Sequence, residues 1–279
     1  MDKTLYITDL DGTLLNEQAE LSEYTTNTLN RLINEGMNFS IATARTGATS
    51  FKLLKDIKLN QPLVLMNGVL IYDMESGHFV KKAVINDKAL KQINNAIIKT
   101  GQAGLMYGFV GDQMTTYYKT LEIKPLREFV EERIQKFNKK FVKVNDFCDV
   151  DADIIYFTFL NTKENIIKIH NELKDISDIQ CVYYPDIYSN DLFYLELTNI
   201  YASKYSGITY LRENYGYTKI IGFGDNLNDI PLFEACDEAY AVSNAKEEVK
   251  AAATAIIGAN TEDGVVKWLE RKWNEPINP

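Results

Sequence analysis

The sequence predicts an α/β protein: a parallel-sheet core built from both ends of the chain, with a mixed α+β domain inserted between them. Apolar strands alternate with helical stretches over residues 4–66 and again after Leu192. That alternation implies a parallel sheet with right-handed crossovers. Between the two regions the rhythm changes to paired strands with two or more helices. The chain has 279 residues and 46% hydrophobic content, enough for one or two packed domains of ~150 residues. The expected division is residues 1–83 and 190–279 for the core and 84–189 for the insert.

Each element has a local reason. Thr4-Leu5-Tyr6-Ile7-Thr8 is a short apolar, β-branched run and reads as a buried strand. Ser22 can cap a helix with Leu29, Leu32 and Ile33 on one face and Gly36 at its end. Asn38 to Thr43 reads as a second strand and Gly47 to Ile57 as a second helix. Pro62 to Met66 reads as a third strand, stopped by the turn signal Asn67-Gly68. In the insert, Ala103 to Val110 and Gln113 to Lys119 suggest a hairpin around Gly111-Asp112. Glu128 to Phe137 and Lys163 to Leu173 read as helices, Asp153 to Leu160 and Ile179 to Tyr184 as strands. Tyrosines 107, 117, 118, 156, 183, 184 and 188 crowd this region, as strands or a ligand pocket would favour. The core then resumes with a helix over Ala202 to Asn214, closed by Gly216. Strands at Lys219 to Phe223 and Ala239 to Val242 follow, then a terminal helix over Glu262 to Trp273 capped by Thr261.

Bulk properties narrow the function. Acidic residues number 39 against 30 basic, a formal charge of −9, a field that repels nucleic acid and anionic membrane. An anionic small substrate needs a metal and a few local cations to override that field. No apolar run of ~18 residues suggests a membrane span, and no signal peptide is visible at the start. Three scattered cysteines, Cys148, Cys181 and Cys236, argue for reduced thiols in a cytoplasm. The two histidines, His78 and His170, lack partners at metal-ligand spacing.

The most informative stretch is Asp9-Leu10-Asp11-Gly12-Thr13-Leu14-Leu15. Asp9 and Asp11 sit where the first strand ends, the edge at which open α/β sheets bind ligands. In strand geometry positions i and i+2 share a side, so both carboxylates are expected together, relieved by a hard cation such as Mg²⁺. Taken alone, Asp-x-Asp-Gly is an ordinary turn. A second carboxylate group, Gly224-Asp225-Asn226-Leu227-Asn228-Asp229, follows the apolar strand at 220–223. Asp225 could complete a Mg²⁺ site with Asp9, a backbone carbonyl and water, and Asp229 could orient that shell. Thr43, followed by Ala44-Arg45, closes the second strand at a junction suited to phosphate. Lys204 lies near the start of the helix after residue 190.

In order, Asp9 to Leu15, Thr43, Lys204 and Gly224 to Asp229 resemble the four motifs of the haloacid dehalogenase (HAD) superfamily. The chain is similar to its Cof-type phosphatases, which carry a C2B-type α+β cap inserted after the second motif. Asn67-Gly68 and Glu262-Asp263-Gly264-Val265 match that group too, and the resemblance spans essentially the whole chain. It implies a Rossmann-like, doubly wound parallel-sheet core with an inserted α+β cap domain. It implies Asp9 as nucleophile and Mg²⁺ ligand, Asp11 as general acid/base with its backbone carbonyl on the metal, and Asp225 as the third protein ligand. Thr43 and Lys204 would hold the phosphate, supported by Asn228. Two departures stand out: Tyr201 and Tyr205 near Lys204, where the family usually has small residues, and Ala44 in place of a frequent glycine.

The expected activity is Mg²⁺-dependent hydrolysis of small phosphorylated metabolites through an aspartyl phosphate. A phosphosugar mutase on the same core, or a non-catalytic phosphate-binding regulator, are the alternatives.

Overall fold

The computed structural model describes residues 3–102, 104–137, 139–186, 189 and 191–275. The expectations at Ala103, Tyr188 and Asn190 lie outside them. The chain divides into two compact units, residues 1–81 with 203–279, and residues 82–202.

The first unit opens with β1 (Thr4–Thr8), α1 (Glu23–Asn34), β2 (Asn38–Ile41), α2 (Gly47–Leu53) and β3 (Leu63–Leu65). Ser22 caps α1 as expected, its hydroxyl accepting from the Thr25 amide at 2.9 Å. β2 ends at Ile41 rather than at Thr43; Ala42, whose amide still donates to the Thr8 carbonyl at 2.9 Å, bridges Val64 in parallel. β4 (Leu70–Asp73) and β5 (His78–Lys82), absent from the sequence reading, join β3 in a small sheet.

The second unit holds α3 (Asp87–Thr100), β6 (Leu105–Val110), β7 (Gln113–Tyr118), α4 (Lys124–Phe137), β8 (Phe141–Lys143), β9 (Asp153–Thr162), α5 (Lys163–Leu173), β10 (Ile179–Pro185) and β11 (Leu192–Asn199). Its sheet runs β10-β11-β9-β6-β7-β8, antiparallel except between β7 and β8. α3 went unread in the sequence. It is capped by Asn86 and buries Leu90, Ile93 and Ile97 at helical spacing. Its apolar face joins Met106, Phe147, Phe157, Phe159, Ile166, Ile169, Leu195 and Leu197 in one core.

β11 corrects the expected boundary. It pairs antiparallel with both β9 and β10, so residues 191–202 belong to the second unit rather than to the core. Its partners, not its own apolar pattern, decide its side. Asn199 Nδ2 donates to the Val84 carbonyl at 2.8 Å and ties the entry of this unit to its exit.

The first unit resumes with α6 (Lys204–Tyr215), β12 (Lys219–Gly224), α7 (Ile230–Ala235), β13 (Glu238–Val242), α8 (Glu247–Ala252), β14 (Ala255–Ile257) and α9 (Gly264–Asn274). Ser203 caps α6 through a reciprocal pair with Ser206. Thr261 does not cap α9: it lies in a tight turn over Asn260–Glu262, and the helix starts two residues later.

The main sheet runs β14-β13-β12-β1-β2, parallel throughout. Adjacent residues of β12 show helices on both faces. Gly222 lies under Leu232 and Cys236 of the α7 side, whereas Phe223 packs on Trp268 of α9. The core is therefore doubly wound. Among the described residues, no helix is long and apolar enough to cross a membrane.

Because the second unit is continuous in sequence and has its own core, a fragment spanning 82–202 should unfold in urea as one cooperative transition. Phe157→Ala in that fragment should cost about 3–5 kcal/mol, the usual loss for a buried aromatic. A fragment without a cooperative transition would show that the unit is not an independent domain.

Candidate active site

Parallel strands bring distant segments to one edge. β1 lies between β12 and β2, so the residues after β1, β12 and β2 are neighbours. These are Asp9, Asp225 and the Thr43 turn. The Asp9 amide donates to the Phe223 carbonyl at 3.0 Å, which fixes the first two loops against each other.

Lys204, the first residue of α6, is buried and donates from Nζ to Asp9 Oδ1 at 2.7 Å and to Asp229 Oδ1 at 2.6 Å. Asp229 is fully buried, and its other oxygen accepts the backbone amides of Asp225 and Asn226 at 2.9 and 3.0 Å. Thr13 donates to Asp225 Oδ1 at 2.7 Å. Asp9, Asp225 and Asp229 each bring one oxygen within 4.8 Å of the others.

Three carboxylates thus face one ammonium in a region largely closed to water. Burial pushes the Asp9 carboxyl upward, against the pull of Lys204 and with a further push from Asp229. Burial likewise raises Asp225 to about 6, opposed by the Thr13 hydroxyl and reinforced by Asp229. Burial alone would discharge Lys204, but Asp9 and Asp229 outweigh it and hold the ammonium above its ordinary range. An all-oxygen donor set with surplus negative charge suits a hard divalent cation. Asp229 has both oxygens engaged by Lys204 and two amides, which fits it to orient ligands. Asp9 and Asp225 each give a single oxygen to a side-chain donor, and so fit the ligand role better.

Asp11 stands apart. The chain leaves β1 at Asp9 and enters a single turn, Leu10–Leu14, so strand alternation no longer applies. The two carboxylates take different partners, Asp9 the Lys204 ammonium and Asp11 the Arg45 guanidinium. Asp11 is about half exposed and takes Arg45 bidentately, Nε to Oδ2 at 2.6 Å and Nη2 to Oδ1 at 2.5 Å. Gly12 makes the turn possible: its φ is +76°, and a Cβ there would sit 2.4 Å from Asp225 Oδ2.

Thr43 is buried, and its hydroxyl accepts the Arg45 amide at 3.2 Å. Asn228 donates from Nδ2 to Asn67 Oδ1 at 3.2 Å. Tyr201 and Tyr205 are 80% and 46% exposed, while Lys204 is buried. The sequence reading gave no role to Arg45, although a cation two residues after Thr43 was a usable signal. It also missed Asn244, whose amide donates to the Gly12 carbonyl at 2.8 Å and accepts from the Asn260 amide at 3.0 Å. Asn260 in turn donates to the Leu15 carbonyl at 2.8 Å, so both residues brace the Asp9 loop. Asn244 lies 232 positions from Gly12, and no local pattern marks it.

A sequence profile of haloacid dehalogenase-like hydrolases matches residues 6–269. The chain belongs to this family. It is 23% identical to the 5-amino-6-(5-phospho-D-ribitylamino)uracil phosphatase YcsE of Bacillus subtilis, over 98% of this chain and 96% of that protein. It is also 23% identical to the pyridoxal phosphate phosphatase YbhA of Escherichia coli, over 94% and 95%. A haloacid dehalogenase-like hydrolase from Bacteroides thetaiotaomicron shares the fold, with a TM-score of 0.78, 24% identity and coverage of 97% and 99%. Within the family it is a Cof-type phosphatase.

The raised Asp225 carboxyl yields a stability prediction. Its folded pKa, about 6, exceeds the unfolded value near 3.9. Ionisation therefore costs the fold nothing below about pH 4, an increasing amount between 4 and 6, and the full amount above 6. In EDTA at pH 7.5, Asp225→Asn should melt roughly 2–4 °C above wild type. The gap should shrink toward pH 4, and a pH-independent gap would refute the assignment.

Proposed function

We propose that this HAD phosphatase hydrolyses small phosphate monoesters, such as sugar phosphates or related phosphorylated metabolites, with Mg²⁺ and through a phosphoryl group carried on Asp9. The observation that carries the reading is the buried ammonium of Lys204 held against Asp9, next to Asp225 and Asp229. An anionic nucleophile attacking an anionic phosphate needs cations, and they act best on charge that spreads over the transferring group. Asp9, Asp225 and the Asp11 backbone carbonyl would hold Mg²⁺, with Asp229 orienting them. Bound there, Mg²⁺ would offset the repulsion between nucleophile and phosphate.

Asp9 attacks phosphorus, and the bond to the leaving oxygen breaks with its electron pair going to that oxygen. Asp11 supplies the proton. Water then attacks phosphorus, Asp11 takes its proton, and the P–O bond to Asp9 breaks to release inorganic phosphate. Asp11 is engaged with Arg45, so reaching the leaving oxygen requires it to exchange that partner. Thr43, Lys204 and Asn228 hold the phosphate. We read the unit at 82–202 as a cap that selects the leaving group. The relatives' substrates, a phosphoribitylamino-uracil and pyridoxal phosphate, are small phosphorylated metabolites of the proposed kind. Cytoplasmic placement fits three cysteines that form no disulfide.

A panel of phosphorylated metabolites assayed with Mg²⁺ tests the substrate class. EDTA should abolish turnover and added Mg²⁺ should restore it. Full activity in chelator would remove the metal from the reaction.

The two aspartates should separate in a burst experiment. Asp9→Asn should show neither phosphoenzyme nor turnover. Asp11→Asn with an aryl phosphate, whose leaving group needs little protonation, should release about one product per enzyme and then stall. Mass spectrometry should find phosphate on the peptide containing Asp9. Label elsewhere, or normal turnover by Asp11→Asn, would contradict the mechanism. Transfer from the stalled enzyme to an added sugar phosphate would instead indicate a mutase.

A further inference from the structure

Three consecutive residues after β3 lie in the left-handed region: Met66 at φ +51°, Asn67 at +52° and Gly68 at +92°. Glycine tolerates this conformation, but Met66 has no local reason to adopt it. Such backbone persists only where the surroundings over-determine it, and it concentrates at functional sites.

The surroundings of this turn are the phosphatase residues themselves. The Met66 amide donates to the Arg45 carbonyl at 3.1 Å, and the Asn67 amide to the Thr43 carbonyl at 2.9 Å. Gly68 lies against Ser203, the cap of the helix that begins with Lys204, so closely that a Cβ would sit 1.9 Å from the Ser203 carbonyl oxygen. Asn228 donates to Asn67 Oδ1 at 3.2 Å. Asn67 therefore stands where the Thr43 turn, the Lys204 helix and the Asp225–Asp229 loop meet.

Its amide is only half used. Asn67 is partly buried, its Oδ1 accepts from Asn228, and its Nδ2 donates to no protein group among the described residues while staying open to solvent. A turn residue kept only for its backbone would be satisfied as glycine. An asparagine in the left-handed conformation it tolerates, with a donor that no protein group uses beside the phosphate-holding groups, points to a ligand oxygen.

We propose that Asn67 binds the substrate, its Nδ2 donating to an oxygen of the phosphorylated portion beside Thr43, Lys204 and Asn228. This rests on the phosphatase reading above and adds a binding residue to it.

Two variants test it, assayed in the full chain with Mg²⁺. Asn67→Gly removes the amide and relieves the positive φ. Asn67→Asp keeps the size, tolerates the same backbone, and still accepts from Asn228, but replaces the donor with a negatively charged oxygen. The readouts are melting temperature, kcat/KM with an aryl phosphate, and affinity for inorganic phosphate by calorimetry. A hydrogen bond to a charged oxygen is worth about 10- to 100-fold. Asn67→Gly should melt at or above wild type while kcat/KM and phosphate affinity fall by about that factor. Asn67→Asp should weaken phosphate binding further. Both variants within about twofold of wild type would overturn the proposal. So would an Asn67→Gly that loses stability while Asn67→Asp keeps normal phosphate affinity, since the residue would then serve the turn alone. If wild type binds phosphate but turns over nothing, the phosphatase reading fails while the calorimetry still decides the role of Asn67. If wild type binds no phosphate, the proposal falls with it.

Discussion

Lys204 is a buried ammonium between two carboxylates, 2.7 Å from Asp9 and 2.6 Å from Asp229, and the arrangement of the active-site edge depends on it. An unpaired charge in that position would be costly, and removing one partner of such a buried pair typically costs about 3–5 kcal/mol. The lysine arrives on the first turn of α6, the aspartates on the loops after β1 and β12. One cation therefore ties three segments that are far apart in the chain. The backbone amides of Asp225 and Asn226, donating to the second oxygen of Asp229, extend the same network into the loop that carries Asp225.

The balance of charge is deliberately uneven. One ammonium cannot neutralise Asp9, Asp225 and Asp229, and burial pushes the carboxyls of Asp9 and Asp225 upward. Replacing buried charges with well-packed apolar residues is often neutral or stabilising, so retaining them fits a trade of stability for the preorganised site proposed above. Asp11 follows a different logic: it is solvated and held by Arg45, so it keeps freedom to change partners that the buried carboxylates lack.

Support for the reactive loop comes from residues with no chemistry of their own. Asn244 and Asn260 hold the carbonyls of Gly12 and Leu15, and Thr13 joins that loop to Asp225. On the other side the backbone of the turn at Met66–Gly68 links Thr43, Arg45 and Ser203, while the Asn67 side chain meets Asn228.

Much of this was legible in the chain. The β1, β2 and β12 runs announce buried parallel strands, because residues covered on both faces must be apolar. Ser22 and Gly216 mark helix ends by local hydrogen bonding or backbone freedom, whereas Ser203, expected inside a helix starting at Ala202, caps it instead. Asp9, Asp225 and Thr43 were legible as candidates because each closes an apolar strand, whereas Lys204 became a candidate only through the resemblance to the family's motifs. Other features were not local. α3 was readable in principle from Leu90, Ile93 and Ile97 behind Asn86, but β11 looks like any apolar strand, and only its pairing with β9 and β10 assigns it to the inserted unit. The sequence alone singled out the candidate side chains and determined that an α/β core would carry them. Only the tertiary structure decided which ones meet: Asp9 with Lys204 and Asp229, Asp11 with Arg45, Asn67 with Asn228. Those pairings follow from strand order and from where the chain leaves each strand, and neither is encoded in the spacing of the residues themselves.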